Sequence, residues 1–306
     1  MASVRWYPHA LSVNTTYFSG IRGYTPNANV ERSLEHHDGE ADPSFVATTS
    51  HKPDLAVRTV DVGGLLAAVQ FDGLVLTELT AWWKKGADCG TRVAAATAAH
   101  AKSVATSGCM VMQSLRATHN EVVEAEVMAY LKSSDGLADP WTWTFSSALS
   151  GAIADVDHYT MGPVFFTPDG GARGAITASS WELDPGIEVT PESFDGVPFP
   201  TFLGISKRSP KATISTPDIA HLAVANQNGV IGTLELFLRK LAEGGTSGRV
   251  ANATEEHILI TIVDGLLVAE SANAETDSES GAQLVFDATR NGTDPIVLIE
   301  FDQAIA

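Results

Sequence analysis

Cysteine, basic residues and long apolar runs are all scarce in this 306-residue chain. With only 2 cysteines, a scaffold stapled by disulfides is excluded. Lysine and arginine number 19 against 37 aspartates and glutamates, which gives a net charge of −18. A protein that grips phosphates needs a basic face, so this balance argues against tight nucleic-acid binding and against adsorption to anionic membranes. The best apolar stretch, Gly63 to Leu76, is interrupted by Gln70 and Asp72 and is too short for a membrane span.

The start of the sequence, Met1 to His9, has no apolar segment of the kind that a secretory signal contains. We therefore expect a protein made in a reducing compartment, with Cys89 and Cys109 as free thiols. Hydrophobic residues make up 44% of the chain, which is enough to build a core and excludes wholesale disorder.

The most informative feature that is present is an internal repeat at an offset of about 157 residues. The matches are collinear over more than 100 positions, and chance does not readily explain their order. They include Asp38-Gly39 with Asp195-Gly196, Phe45 with Phe202, Asp61 with Asp218, and the pattern R-V-A-x-A-T-x-x-H at Arg92–His100 and Arg249–His257. The repeat predicts a duplication.

The repeat predicts a division into four parts: an N-terminal arm at 1–15, a first unit at 16–149, a linker at 150–173 and a second unit at 174–306. The segment 150–173 is rich in glycine and proline, which is typical of a connector. The first unit has 10 basic and 15 acidic residues, a charge of −5, and the second has 7 and 19, a charge of −12.

Within each unit, short runs rich in valine, isoleucine, threonine and aromatics alternate with glycine, proline and aspartate, which is a strand pattern. One segment per unit differs, because Asp61 and Asp218 each precede a Leu/Ala run that suits a short helix. Val93 to Ala101 alone would be predicted as helix, but its partner leads into the β-prone His257–Val263, so we predict strand for both. The fold class predicted is all-β, mainly antiparallel, with two tandem barrel or sandwich domains and one short flanking helix in each.

The candidate metal-binding and nucleophilic residues lose support when the two copies are compared. The pair His36-His37 has no histidine counterpart, and the two cysteines have no cysteine counterparts. His100 and His257 recur in both copies, but not at a metal-ligand spacing, so a structural bridge between strands is favoured over a metal site. We predict no catalytic residue, no metal and no cofactor, and a chain that is not an enzyme.

Several ordered motifs in the second half resemble bacteriophage tail tube proteins. They are the segment from Ser179 to Phe202, then Arg208-Ser-Pro210, Ser215-Thr-Pro-Asp218 and Leu236-Phe-Leu-Arg-Lys240, followed by Gly245, Arg249-Val250, His257 and Gly265. The resemblance covers 175–306 most clearly and reaches 16–149 through the repeat.

The resemblance implies small β-barrel or sandwich units whose inner sheets join around a ring of six, with rings stacked into a tube through which DNA leaves the capsid. The duplication looks like the long-tailed variant in which two fused units form trimers. The implied partners are further copies of the chain and the tape measure, terminator and baseplate proteins, and the implied location is the virion tail after synthesis in the host cytoplasm. DNA would pass without specific binding, since an acidic wall repels phosphates.

The resemblance also implies that the loops Glu31–Ser44 and Thr190–Thr201 reach a neighbouring subunit or ring. Their apolar tips would be a liability on a free monomer but suit a contact. The residues expected in this contact are Asp38, Gly39, Phe45, Phe194, Asp195, Gly196, Val197 and Phe199. The alternative is a tandem β-sandwich binding module that recognises carbohydrate or a receptor.

Overall fold

The structure is a computed structural model that describes residues 5–36, 42–86, 92–149, 155–225, 228–243, 248–273, 281–290, 292 and 296–305. These residues form mainly antiparallel β-strands with very little helix, so the prediction of an all-β, mainly antiparallel fold is confirmed. The cysteine-poor chain thus relies on a packed core and sheet hydrogen bonds.

The first half contains twelve named strands and one helix, counted over the described residues. They are β1 (Trp6–Val13), β2 (Thr16–Phe18), β3 (Ile21–Asn27), β4 (Val30–Glu35), β5 (Phe45–His51), β6 (Asp54–Thr59), α1 (Val62–Val69), β7 (Leu74–Leu76), β8 (Leu79–Lys85), β9 (His100–Ala105), β10 (Gly108–Thr118), β11 (Glu124–Leu131) and β12 (Trp141–Ser147).

The second half begins with a long strand and ends with another. Its elements are β13 (Tyr159–Pro168), β14 (Gly174–Ile176), β15 (Ser180–Asp184), β16 (Glu188–Glu192), β17 (Phe202–Lys207), β18 (Lys211–Thr216), a 3₁₀ turn (Ile219–His221), α2 (Leu222–Ala225), β19 (Val230–Lys240), β20 (His257–Asn273), β21 (Gly281–Ala288) and β22 (Val297–Gln303).

Strand pairing in the two halves follows the same order. One sheet has the order β12-β9-β8-β1-β2, and in the second half β22, β20, β19, β13 and β14 pair in that order. The first half also contains the run β7-β10-β11-β6-β3, and the second half contains β19-β20-β21-β18-β15. The strands β4 and β5 form a separate hairpin, as do β16 and β17.

The register also agrees at the level of single residues. Leu115 pairs with Ala125 in β10–β11, and Ala272 pairs with Ala282, 157 positions later, in β20–β21. Irregularities in the ladder fall at the same offset, between Met112 and Ser114 in one pair and between Ala269 and Ser271 in the other. The sequence repeat therefore coincides with a repeat of strand pairing.

The helical segments begin where the aspartates predict. The carboxylate of Asp61 accepts a hydrogen bond from the Gly64 N–H at 3.2 Å, and that of Asp218 accepts one from the Ala220 N–H at 2.9 Å. Burial raises the pKa of Asp61, and its bonds to the Ser19 and Gly64 amides oppose this rise. Each aspartate thus satisfies an otherwise unpaired amide at the start of its helical turn.

Two segments that the sequence assigned to connections are strands. β1 lies in the predicted arm 1–15, and β13 fills much of the predicted linker 150–173. The Gly162-Pro163 pair that suggested a connector sits at a register shift between Met161 and Val164. Glycine fits there because a Cβ on Gly162 would lie 2.7 Å from the Phe237 carbonyl oxygen.

The strand prediction for Val93 to Ala101 is wrong over most of its length, because turns occupy 95–99 and β9 starts only at His100. The turns are held locally, since the Thr97 N–H donates to the Ala94 carbonyl at 3.0 Å. The corresponding stretch before His257 has the same Thr254-to-Ala251 bond at 3.0 Å.

One continuous core runs through both halves, and the largest sheet crosses the predicted boundary between them. That core contains α1 residues such as Leu65 together with Val127, Trp181 and Leu236. The crossing occurs where β10 of the first half pairs with β15 of the second.

Candidate assembly interface

The contact between the two halves is built on a strand ladder, which we call the internal junction. The last four residues of β10, Leu115–Thr118, pair antiparallel with Ser180–Leu183 of β15. At its centre, Arg116 and Glu182 form an ion pair at 2.8 Å. Both side chains are largely exposed, so backbone hydrogen bonds and apolar burial hold this junction rather than the charge pair.

Beside α1, a tyrosine at the start of β13 stabilises the internal junction. Tyr159 is 7% exposed, and its ring packs on α1, where a Cβ on Gly63 would approach it to 3.3 Å. The carbonyl of Tyr159 accepts a hydrogen bond from the Val123 N–H at 2.8 Å. The small residue in α1 therefore makes room for the ring of the other half.

A buried tryptophan in the β10–β15 ladder also contributes to the internal junction. Trp181 of β15 lies opposite Ala117 and is 2% exposed. Its counterpart in the first half is Tyr24 of β3, because Tyr24 pairs with β6 at the position that corresponds to the one at which Trp181 pairs with β18. The Tyr24 hydroxyl donates to the Ala10 carbonyl at 2.5 Å. Burial raises the pKa of Tyr24 far above its ordinary value.

The tip of the β16–β17 hairpin reaches back onto the first half. Val197 packs so closely on Gly136 that a Cβ there would lie 2.2 Å from its side chain, and the Phe199 N–H donates to the Gly136 carbonyl at 3.1 Å. The His51 N–H donates to the Pro198 carbonyl at 2.8 Å, and the His51 and Phe199 rings lie 4.9 Å apart. The predicted contact residues Val197 and Phe199 thus meet the same chain.

The remaining predicted contact residues lie in exposed places or outside the described part of the chain. Phe194 is 54% exposed, and Asp195 and Gly196 form a turn with φ of 58° and 73°. Phe45, at the start of β5, is 53% exposed. Asp38 and Gly39 lie outside the described residues.

A carboxylate organises the loop that receives the hairpin tip. Asp135 Oδ1 accepts hydrogen bonds from the Leu137 and Ala138 amides, at 2.9 and 3.0 Å, and from the Ser133 hydroxyl at 2.9 Å. The Ala138 and Leu137 amides, followed by the Ser133 hydroxyl, lower the pKa of Asp135 to about 2. Ser133 also donates its N–H to the Pro200 carbonyl at 2.8 Å, so this loop is tied directly to the hairpin.

Each side of the internal junction has a counterpart whose edge has no strand partner among the described residues. By register, β3 corresponds to β15, and β3 pairs with β6 on one edge but with no described strand on the other. The last four residues of β10 correspond to 272–275, of which the structure describes Ala272 and Asn273. These two pair with β21, and the opposite edge of β20 from Val268 onward has no strand partner among the described residues. Open strand edges are the surfaces through which sheets extend between chains.

Aromatic side chains cluster beside the open edge of β3. Trp6 is 37% exposed, Trp143 is 39% exposed and Phe145 is 63% exposed. The Trp143 and Phe145 rings are stacked at 6.1 Å, and Trp6 meets Phe145 edge-on at 6.4 Å. Trp6 pairs with Lys85 as Tyr159 pairs with Lys240, so Trp6 is the exposed counterpart of the buried junction tyrosine. Sequence comparison at an offset of 157 missed this pair because Trp6 and Tyr159 are 153 positions apart.

The two repeated histidines are structural bridges with identical bonding. His100 and His257 are both 0% exposed. Their Nδ1 atoms accept the N–H of Lys85 at 3.0 Å and of Lys240 at 3.1 Å. Each Nε2 therefore carries the proton and donates to a carbonyl, that of Ala94 at 2.9 Å or of Ala251 at 3.1 Å. Both ring nitrogens are occupied, which leaves neither for a metal ion.

Within the described ranges, no three histidine, cysteine, aspartate or glutamate side chains are grouped so that they could hold a metal ion. The helices that the structure describes include none long and apolar enough to cross a membrane. No protein-family model matches the chain, and no curated protein is significantly similar to it.

Proposed function

We propose that this chain is the structural subunit of a bacteriophage tail tube, in which three chains form a ring and rings stack around a channel for DNA. The observation that carries the proposal is the internal junction, because both of its sides have counterparts with open edges within the described part of the chain, β3 near its start and the end of β20 in its second half. The motif order of the second half, which resembles tail tube proteins, supports the same conclusion.

The junction between chains would copy the internal one. Leu115 lies opposite Leu183 inside the chain, so a shift of both partners by the repeat offset places Ala272 of one copy opposite Pro26 of the next. Such a contact joins two different surfaces, and heterologous contacts either close into rings or continue as filaments. Two fused units per chain then complete six places with three chains.

The β4–β5 hairpin has the exposure expected of a contact that lies outside the isolated chain. Leu34, Phe45 and Val46 are 56%, 53% and 58% exposed. The corresponding β16–β17 hairpin packs its tip on the preceding half. We propose that the β4–β5 hairpin packs in the same way on a neighbouring copy or ring.

The solvent face of the large sheet is the proposed channel wall. Opposite charges face one another across its strands in the first half, where Arg58 lies opposite Glu126 and Arg116 lies opposite Glu124. In the second half, Lys211 lies between Asp184 and Asp287. Carboxylates flank each cation on such a face, which disfavours retention of DNA phosphates.

Electron microscopy of concentrated protein tests the proposal directly. We expect tubes or stacked rings, and a dissociated ring of three 32.3 kDa chains should have a mass of 96.9 kDa. A six-chain ring would contradict the trimer, and protein that stays monomeric at every concentration would contradict the tube.

A second candidate, a carbohydrate-binding module, is favoured by one groove. Trp141 and Trp143 line a space of about 310 Å³ together with Asn27, His51 and Asp139. Aromatic faces combined with a few polar groups are the usual lining of ligand sites. Glycan-array binding that is lost in Trp143→Ala, by protein that forms no rings, would favour this candidate over the tube.

A further inference from the structure

Two buried polar atoms that face each other across β13 and β19 have no partner. Thr160 and Arg239 lie opposite one another in the ladder, so their side chains lie on the same face of the sheet. Among the described residues, neither the Thr160 Oγ1 nor the Arg239 Nε has a hydrogen-bond partner, and both atoms are inaccessible to solvent. Buried donors are almost always satisfied, so this unpaired couple points to a polar group bound beside it.

A groove of about 240 Å³ lies beside Arg239. Its lining also includes Arg249, His119 and the turn residue Thr177. Arg249 is directed by the junction, since its Nη2 donates to Asn120 Oδ1 of the other half at 2.5 Å. Two guanidinium groups therefore line one groove in a chain whose net charge is −18.

The charge of the groove indicates which kind of group binds in it. Arg239 has no carboxylate within 4 Å in the described part of the chain, although acidic residues outnumber basic ones by 37 to 19. Burial, and secondly the charge of Arg249, lowers the pKa of Arg239. A water molecule could accept a hydrogen bond here, but it would not offset the repulsion between the two cations, whereas an anion would do both.

We propose that this groove, at the seam of the two halves, is a binding site for an oxyanion held by Arg239 and Arg249, the two cations that line it. The chemistry fits either free inorganic phosphate or a carboxylate that a second copy of the chain inserts. The first half differs at the corresponding place, because Tyr7 lies opposite Lys84 where the second half has Thr160 opposite Arg239.

The test uses inorganic phosphate with the full chain at a concentration where it does not assemble. Melting temperature is measured against phosphate and against chloride at matched ionic strength, in wild type, Arg239→Gln and Lys84→Gln. We expect phosphate to raise the melting temperature saturably in wild type and in Lys84→Gln, and Arg239→Gln to weaken phosphate binding at least tenfold. If Arg239→Gln does not fold, Arg239→Lys serves in its place, with a smaller expected loss.

The source of the anion is separated in a second arm. If a carboxylate of another copy is the natural occupant, phosphate and Arg239→Gln both raise the concentration needed for assembly. If a free anion is the occupant, neither changes that concentration. The proposal is overturned if phosphate stabilises the wild type no more than chloride does, which would leave a water molecule only, or if Lys84→Gln loses as much phosphate binding as Arg239→Gln.

Discussion

Replacement of Trp6 by alanine should weaken assembly while it leaves the isolated chain folded. Trp6 is the exposed counterpart of Tyr159, which the internal junction buries on α1. In a ring, the proposed receiving surface is the 3₁₀ turn at Ile219–His221 of the next copy, where Ile219 is 46% exposed. That turn corresponds to the start of α1, where Gly63 receives the tyrosine.

The expected loss of affinity follows from the area of Trp6 that is exposed to solvent in the isolated chain. The residue is 37% exposed. Since a tryptophan buries up to about 250 Å², about 90 Å² remains for a neighbour to cover. At about 25 cal/mol per Å², that area is worth about 2 kcal/mol for each junction, or about 30-fold in the affinity of one chain for the next.

The assay is the critical concentration for ring or tube formation, measured by sedimentation. Tyr17→Ala is the matched control, because Tyr17 is also an exposed aromatic of the same sheet, 42% exposed, but stacks on Trp82 away from the proposed contact. We expect the critical concentration to rise only in Trp6→Ala, with little change in its unfolding midpoint. Equal critical concentrations for Trp6→Ala and wild type would refute the correspondence between the two junctions.

Three further predictions concern folding and assembly separately. His257→Ala should lower the free energy of unfolding by about 2–5 kcal/mol, because it removes a fully buried ring and leaves the Lys240 amide and the Ala251 carbonyl without their partner; denaturant titration should show a similar loss for His100→Ala, and a loss within error of zero in either would contradict the bridging role. The pKa of Asp135 is lowered to about 2 in the fold, so its contribution to stability is complete above its unfolded pKa of about 4 and disappears as the pH falls toward 2. The protection factors of the amides in the 133–138 loop, which correct for the intrinsic pH dependence of exchange, should fall over that range in wild type and not in Asp135→Ala, and identical profiles would exclude this role. Tyr159→Ala should destabilise the isolated chain, as seen in thermal unfolding, whereas a variant that folds normally but fails to assemble would show that the internal junction is not part of the core.

The sequence predicted the repeating parts of this fold because local chemistry determines them. Val, Ile and Thr runs marked the strands, and Asp61 and Asp218 marked the helix starts through hydrogen bonds to amides only two or three residues away. The repeated histidines were correctly interpreted as bridges, because each ring accepts a strand N–H at one nitrogen and bonds a loop carbonyl at the other.

The junction could not be predicted because it depends on pairing between residues far apart in the chain. Nothing local about Ser180–Leu183 indicates that β10, more than 60 positions earlier, lies beside it. Gly162 and Pro163 were interpreted as part of a connector although they lie at a bulge within a strand, because glycine and proline occur in both. Val197 and Phe199 were predicted to meet a neighbour, and their contacts in the isolated chain are instead with its own first half.

A sheet that runs unbroken from β10 into β15 changes how a ring responds to dilution. Because a single polypeptide carries both sides of that seam, its closure is intramolecular and does not depend on protein concentration. Only every second seam of the proposed ring would be sensitive to concentration, so a disassembling tube would shed pieces of two units and never of one. Substitutions would have different effects at the two kinds of seam. A damaging substitution at the internal seam would destabilise the fold of the chain, whereas one at the seam between chains would only release the chain from the proposed ring.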